Sequence, residues 1–500
     1  MQKEKLKVLI TASECAPFVK VGGLADVIGS LPKALKELGV DVRVVIPLYE
    51  KIRNSKFPPD SLRDSKRAGE IRNGNSNFKV KFEGTEEVGV YESKLPDSEV
   101  PIYFLENQKY LSGGGVYMSK DAVASEQGEI KRFAFFSRAL VNFQFSIFNF
   151  QFDIVHCNDW HTGLVPGLLR ATKPATVFTI HNLANQGFSD LSVLKNFDSV
   201  TSESELIKWD AADDNLDLML QGITAADVVS TVSPTYAKEI LTPEFGEGLH
   251  EVLKAREGRL SGILNGIDPL VWNPATDSKI EFAYSSKEGL AGKVANKIYL
   301  QKELGLKVDP GVPLIGMVTR LAEQKGFDLV LEVLKDILGL GAQLVILGVG
   351  DEALEEELRI RDKELGDEGN FSFINRFDEE LAHKIYAASD LFLMPSKFEP
   401  CGLVQIIAMR YGALPIVRAT GGLKDTVEDA ETGFVFKEPS SEALLEAVER
   451  AVGRFGVENI QFRQMIAKAM RQDFSWEASA EKYLQLYRRA IEYREEEASL

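Results

Sequence analysis

The sequence predicts an α/β fold built from two doubly wound domains, each a parallel sheet faced by helices on both sides. Three observations carry this expectation. Short β-rich runs alternate with amphipathic segments of helical length along most of the 500 residues. The alternation restarts at Pro313 after a polar connecting stretch that follows Asn265-Gly266-Ile267-Asp268. A helix-opening Gly-Gly-Leu sequence occurs near both ends, as Gly22-Gly23-Leu24-Ala25-Asp26-Val27 and as Gly421-Gly422-Leu423-Lys424-Asp425-Thr426-Val427. At roughly 150 residues per domain the length fits two or three domains.

In the first half, strands are expected at Leu6 to Thr11, Asp41 to Ile46, Ile102 to Leu105, Ile154 to Cys157, Thr176 to Ile180 and Val228 to Val232. Helices fall between them, from about Leu24 to Leu38 and from Gly163 to Arg170, with Gly39 as a helix stop and Pro47 closing a strand. In the second half, strands at Leu314 to Thr319, Gln343 to Leu347, Phe371 to Ile374, Leu391 to Met394 and Leu414 to Val417 alternate with helices starting near Gly326, Asp351, Glu379, Gly402 and Leu423. Such apolar runs are read as strands buried on both faces, so two Rossmann-like domains are the economical architecture. The charged segment from about Lys51 to Glu99 reads as an insertion on the first sheet, and Arg494 to Glu497 as the end of a solvated helix.

Composition narrows the function. Hydrophobic residues at 44% and charged residues at 27% are ordinary for a folded chain, which excludes a disordered or fibrous protein. The net charge of −17 argues against a nucleic-acid partner. Cys15, Cys157 and Cys401 form no C-x-x-C pair, as fits a reducing compartment, and the N-terminus lacks the apolar core of an export signal. Phe133 to Phe152 is the most apolar long window, but Arg138, Asn142, Gln144, Ser146, Asn149 and Gln151 interrupt it. It reads as a buried helix followed by a core strand, so no membrane partner and a cytoplasmic location are expected.

Several segments at strand ends could carry chemistry. In Lys20-Val21-Gly22-Gly23-Leu24 the glycines let a ligand approach the backbone, the helix start offers free N–H groups and Lys20 adds a cation, so an anion fits; a tight turn with a surface lysine fits as well. Arg320 just past a strand and Lys325 just before a helix put two cations at the carboxyl edge of a sheet, where such folds bind ligands. An anion such as a diphosphate would relieve their repulsion; the alternative is a surface pair of Arg320 with Glu323. Gly348-Val349-Gly350 loosely matches a dinucleotide fingerprint, but Asp351, Glu352, Glu355, Glu356 and Glu357 would repel a pyrophosphate, so a structural turn is expected. Glu399, fenced by Pro395 and Pro400, suits either sugar hydroxyls or the capping of the next helix, and Thr420-Gly421-Gly422 offers further N–H donors for phosphate.

Two histidine segments, His156 to His161 and His181-Asn182-Leu183-Ala184-Asn185-Gln186-Gly187, each follow a strand; strand-end packing is their bland reading. A zinc site is not expected, because these histidines share no helical face, and no Asp-x-Asp occurs.

Taken together, Lys20 to Val27, His156 to Leu164, His181 to Gly187, Thr231 to Tyr236, Leu264 to Asp268, Arg320 to Gly326 and Glu399 to Leu403 resemble the bacterial glycogen synthase and plant starch synthase family of glycosyltransferases. The resemblance implies a GT-B fold: an acceptor-side catalytic domain over 1–270, a nucleotide-sugar-binding domain over 271–474, and a last helix, 475–500, returning to the first domain. It implies two parallel sheets facing across a cleft that opens and closes. The implied reaction adds glucose from ADP-glucose to the non-reducing 4-hydroxyl of an α-1,4-glucan with retention, with no metal and no cofactor. Arg320 and Lys325 would neutralise the diphosphate, helped by Lys20 and the Gly23 amide, Glu399 would hold glucose hydroxyls, and His181 would lie beside the sugar ring. Gly22, Asp26, Asp159, Asn182, Gly402, Leu403, Thr420, Gly421 and Gly422 are the further substrate-binding candidates. Phe377 stands where some relatives place a base-stacking Tyr, Ile407 where the wider GT-B pattern has a second Glu, and Val21 where Thr is common. The rival readings are a UDP-glucose or small-acceptor transferase of the same fold and an idle glucan-binding homologue.

Overall fold

A computed structural model describes residues 5–54, 77–113, 115–117, 125–148, 150–191, 210, 214–287, 289–456 and 459–499. Most of the polar run in the 51–99 segment lies outside them. The chain forms two compact units: Met1–Val232, Ala237–Gly266 and Trp476–Leu500 in the first, Ser233–Tyr236 and Ile267–Ser475 in the second.

The first unit is organised by β1 (Lys7–Thr11), β2 (Asp41–Pro47), β3 (Asn77–Lys81), β4 (Thr85–Lys94), β5 (Pro101–Glu106), β6 (Ile154–Asn158) and β7 (Ala175–Ile180). A small antiparallel ribbon, β8 (Phe188–Asp190) with β9 (Asn215–Asp217), precedes β10 (Val228–Thr231) and β11 (Leu260–Gly262). The nine-stranded sheet runs in the order β11-β10-β7-β6-β1-β2-β5-β4-β3. All of it is parallel except the edge, where β4 pairs antiparallel with β5 and β3 with β4. The insertion expected at 51–99 therefore extends the sheet as a hairpin. Its β3 alternates exposed and buried residues because its edge position leaves one face to water.

The parallel strands read as apolar runs because helices cover both faces: every residue of β6 and of β7 is buried. The helix Gly23–Glu37 buries Leu24, Val27, Ile28, Leu31 and Leu35, a spacing of three and four that makes one face. The last helix, Trp476–Ser499, buries Trp476, Ala480, Tyr483 and Tyr487 within this unit.

The first unit departs from the sequence expectation at two places. The apolar window forms the helix Ser125–Ser146, but the next strand begins only at Ile154, because Phe148, Phe150 and Phe152 pack on one another and around the Arg43 guanidinium outside any strand. The chain end is not wholly solvated either. Arg494 is 13% exposed and binds Asp227, itself 3% exposed, through Nε at 3.0 Å and Nη2 at 2.7 Å.

The second unit holds β12 (Leu314–Val318), β13 (Gln343–Leu347), β14 (Phe371–Ile374), β15 (Leu391–Met394), β16 (Leu414–Arg418) and β17 (Phe434–Phe436), all parallel, in the order β14-β13-β12-β15-β16-β17. Chain order thus runs outward in one direction from β12 and restarts beside it at β15. That reversal is a topological switch point, and the first sheet has its own between β1 and β6. Crevices at such points open outside the carboxyl ends of the strands and are where open α/β sheets bind ligands. The two Gly-Gly-Leu segments both open helices but are not topological equivalents, since one follows β1 and the other β16. Among the described residues no helix is long and apolar enough to cross a membrane.

Candidate active site

In the second unit the loops after β12 and β15 flank the switch point, and the chain ties them together. Gln324 Nε2 donates to the Phe398 carbonyl at 3.0 Å and Lys397 N to the Gln324 carbonyl at 2.8 Å. Gly326 has φ +71°, and a Cβ on it would lie 2.2 Å from the Pro395 oxygen, so only glycine lets the loops approach this closely. Gly326→Ala is expected to cost at least about 1–2 kcal/mol from the left-handed backbone alone, plus the clash. Chemical denaturation checks the first effect, and lost turnover in the folded variant checks the displacement of Lys325.

The tied loops bring Lys325 Nζ to 2.6 Å from Glu399 Oε2, with side chains 15% and 9% exposed. Ser396 Oγ donates to the same oxygen at 3.0 Å. Glu399 therefore does not cap the following helix, and Lys325 is not the unneutralised cation expected from the sequence. Its positive charge is balanced because the strand-to-helix loop of β15 returns a carboxylate to the end of β12. Arg320 is exposed and has no ion pair among the described residues, while Glu323 binds Lys397 at 3.1 Å, which removes the Arg320–Glu323 alternative.

Gly402 and Leu403 begin the next turn, and their amides meet no acceptor among the described residues. The second Gly-Gly is different. Gly421 and Gly422 are buried, and Gly422 N donates to the carbonyls of Glu399 and Pro400 at 3.1 and 3.2 Å. Gly422 is thus not an open phosphate donor. The pair is glycine because a Cβ at Gly421 would lie 1.9 Å from the Glu399 oxygen and one at Gly422 2.0 Å from the Cys401 oxygen. Thr420 is buried at the start of that helix. Phe377 follows β14 at the sheet edge, two strands from β12, and is 83% exposed. The turn at Gly348 and Gly350 is structural: Asp351 caps its helix, and both glycines abut carbonyls of the β12 loop.

At the switch point of the first unit, Lys20 pairs with Asp26 at 2.7 Å and remains exposed. Gly23 is open, but the Gly22 amide is taken by Glu14, whose carboxylate also accepts from Val21 N at 2.5 Å. Glu14 is 4% exposed, and burial raises its pKa despite these amides. Across the switch point, Asp159 follows β6 with φ +55°, a strained backbone of the kind that clusters at functional sites. Its Oδ1 accepts from the His181 amide at 2.7 Å, and burial pushes its pKa up to about 7 against the pull of the His181 and Asn182 amides. Because the folded pKa lies above the unfolded value of about 3.9, the folded state binds the extra proton between these limits, and stability falls as pH rises from about 4 to 7. The stability difference between the chain and Asp159→Asn is expected to fall across that window in denaturation curves taken at several pH values.

The histidines separate. His156 is a satisfied core residue between Tyr487 OH at 2.9 Å and Thr179 Oγ1 at 2.6 Å, and His161 is buried against Trp160 and Phe133. His181 is half-buried, its Nε2 2.9 Å from Asn158 Oδ1, and Asn182 accepts from Ala184 N. The sequence reading missed Glu14, Ser396 and Arg418. Arg418 is 8% exposed and holds the carbonyls of Ser396 and Lys397, so it shapes the Glu399 loop. Only an apolar strand ending in a cation could have flagged it. Among the described residues no group of three or more His, Cys, Asp or Glu side chains is placed to hold a metal ion.

Two doubly wound units, each with charged and amide groups gathered at its switch point, have the architecture of the GT-B class, as the match to a solved starch synthase shows. The comparisons narrow the class. A family pattern described as the starch synthase catalytic domain matches residues 7–255, and one described as glycosyl transferases group 1 matches 303–471. Glycogen synthase 2 of Geobacter sulfurreducens is 42% identical over 505 residues, covering 98% of this chain and all of that one. The glycogen synthase of Thermosipho melanesiensis is 40% identical over 504 residues, with 98% and 100% coverage. Among solved structures, the catalytic domain of starch synthase IV from Arabidopsis thaliana, bound to ADP and acarbose, superposes with a TM-score of 0.86 at 34% identity, covering 98% of this chain and 100% of that one. The chain belongs to the glycogen and starch synthase family and is a hexosyltransferase.

Proposed function

We propose that the chain transfers glucose from ADP-glucose to the non-reducing 4-hydroxyl of an α-1,4-glucan with retention of configuration. The observation that carries this reading is the Lys325–Glu399 pair at the second switch point, together with Arg320, which has no ion pair among the described residues. A retaining transfer must stabilise a departing diphosphate and a positively charged sugar at once. Two cations and one carboxylate held on loops beyond the strand ends, the Lys325 and Glu399 loops tied to each other, supply both signs of charge. Arg320 and Lys325 take the diphosphate oxygens, with the open amides of Gly402 and Leu403 as further donors, while Glu399 accepts from glucose hydroxyls. Phe377 offers an exposed ring face to the base.

For the first unit, Lys20 and the Gly23 amide bind phosphate, and His181 lies beside the sugar ring. Asp159 acts there chiefly by holding the His181 backbone, and Asn182 contacts sugar. The second unit is the nucleotide-sugar-binding part, and the first is the acceptor-binding part. Support for the donor comes from the relative that holds ADP together with acarbose. Three free, buried cysteines fit a cytoplasmic setting.

The test is incorporation of labelled glucose into glycogen from ADP-glucose and, in parallel, from UDP-glucose, with chelator present. Chelator-resistant incorporation that prefers ADP-glucose is expected. Incorporation from UDP-glucose alone would overturn the donor, and glucan binding without transfer from either would replace the reaction with a binding role.

A further inference from the structure

In the proposed reaction His181 lies beside the sugar ring, and the strands around the first switch point decide which of its ring nitrogens is free to accept. Asn158 ends β6 and is fully buried. Its Nδ2 donates to the Thr11 carbonyl at the end of β1, at 3.0 Å, with the His156 carbonyl at 3.5 Å on the same side. Both partners are carbonyl oxygens, which only accept, so the amide group cannot be turned over without losing these bonds and opposing oxygen to oxygen. Its oxygen therefore faces His181 Nε2 at 2.9 Å. An amide oxygen only accepts, so Nε2 must carry the proton and Nδ1 keeps its lone pair.

The other groups around the ring do not compete for this proton. Asp159 directs Oδ1 at the His181 backbone amide, and His156 is bound to Tyr487 and Thr179. His161 Nε2 meets Tyr117, while Glu14 is spent on the Val21 and Gly22 amides. Burial holds the His181 ring at about 3, well below an ordinary imidazole, so it is neutral at neutral pH.

We propose that Asn158 is a positioning residue that fixes His181 as the Nε2–H tautomer and so presents Nδ1 as an acceptor for a sugar hydroxyl. The inference rests on the role given to His181 above. It commits the side chain to accepting a hydrogen bond, since the only ring proton is spent on Asn158.

The tautomer is read directly from the ring nitrogens of the full chain labelled with 15N-histidine, with His181→Gln assigning the resonances. Protonated Nε2 and bare Nδ1 are expected at neutral pH; protonated Nδ1 overturns the proposal. In Asn158→Asp a carboxylate faces Nε2 and favours the doubly protonated ring, so the His181 pKa should rise by about 1–3 units. The acidic limb of the kcat profile should move to higher pH with it, because protonated Nδ1 can no longer accept. A loss of kcat that is uniform across pH, with the limb unmoved, would make Asn158 merely structural and overturn the proposal. If Asn158→Asp does not fold, Asn158→Ala removes the acceptor instead: mixed ring tautomers support the assignment, and an unchanged single tautomer overturns it. Wild-type chain with the Nε2–H tautomer but no glucose transfer would overturn the reaction proposed above and leave the tautomer standing.

Discussion

Lys325→Ala is expected to lower kcat by about 10²–10³-fold, the size of effect seen when one group stabilising developing charge is removed from a preorganised site. The same change strands the Glu399 carboxylate, 9% exposed, with Ser396 as its remaining side-chain partner, so stability should fall as well. The two consequences can be separated. In Lys325→Ala/Glu399→Gln no buried charge is left unpaired, so unfolding free energy should recover toward that of the parent chain while kcat stays low. Urea denaturation beside initial-rate assays decides the matter. Recovery of both would make the pair a structural salt bridge, and recovery of neither would place the damage in the backbone of the tied loops.

Arg494→Ala should give the largest stability effect outside the site. Removing one partner of a buried ion pair typically costs about 3–5 kcal/mol, because the other charge stays behind without compensation. Here the stranded group is Asp227 on the approach to β10, which would keep only its bonds from the Thr176 amide and hydroxyl. Arg494 also donates to the Arg170 carbonyl at 2.6 Å, so the C-terminal helix loses one of its ties to the rest of the first unit, while Glu497 still pairs with Arg259 at 2.9 Å. The urea midpoint should fall with the slope unchanged, and kcat of the folded variant should be preserved. A shift below about 1 kcal/mol would mean that the pair behaves as an exposed one.

The alternation of buried strands and helices was legible because two-sided burial makes strands largely apolar, as in β13 and β15. The edge hairpin β3–β4 was not, because its alternating pattern is diluted by charge. Arg320, Lys325 and Glu399 were legible as charges placed just beyond strands, since topology sends every parallel strand end to the same edge. Their pairing was not, because Lys325 and Glu399 are 74 residues apart and meet only where β12 and β15 lie side by side. Glu14 and Asn158 escaped notice for the same reason. Asn158 acts through Thr11 and His181, 147 and 23 residues away, and nothing local to it marks a ring-orienting amide. The second Gly-Gly misled in the opposite way: its glycines answer to carbonyl oxygens of the Glu399 loop rather than to a ligand.

The proposed reaction extends α-1,4-glucan at its non-reducing end with retention, and digesting glycogen labelled from ADP-glucose with β-amylase, which removes maltose from non-reducing α-1,4 ends, tests it. Release of the label as maltose in the first cleavages is the predicted result. Label that resists β-amylase, or that emerges only after the chains are degraded inward, would contradict it.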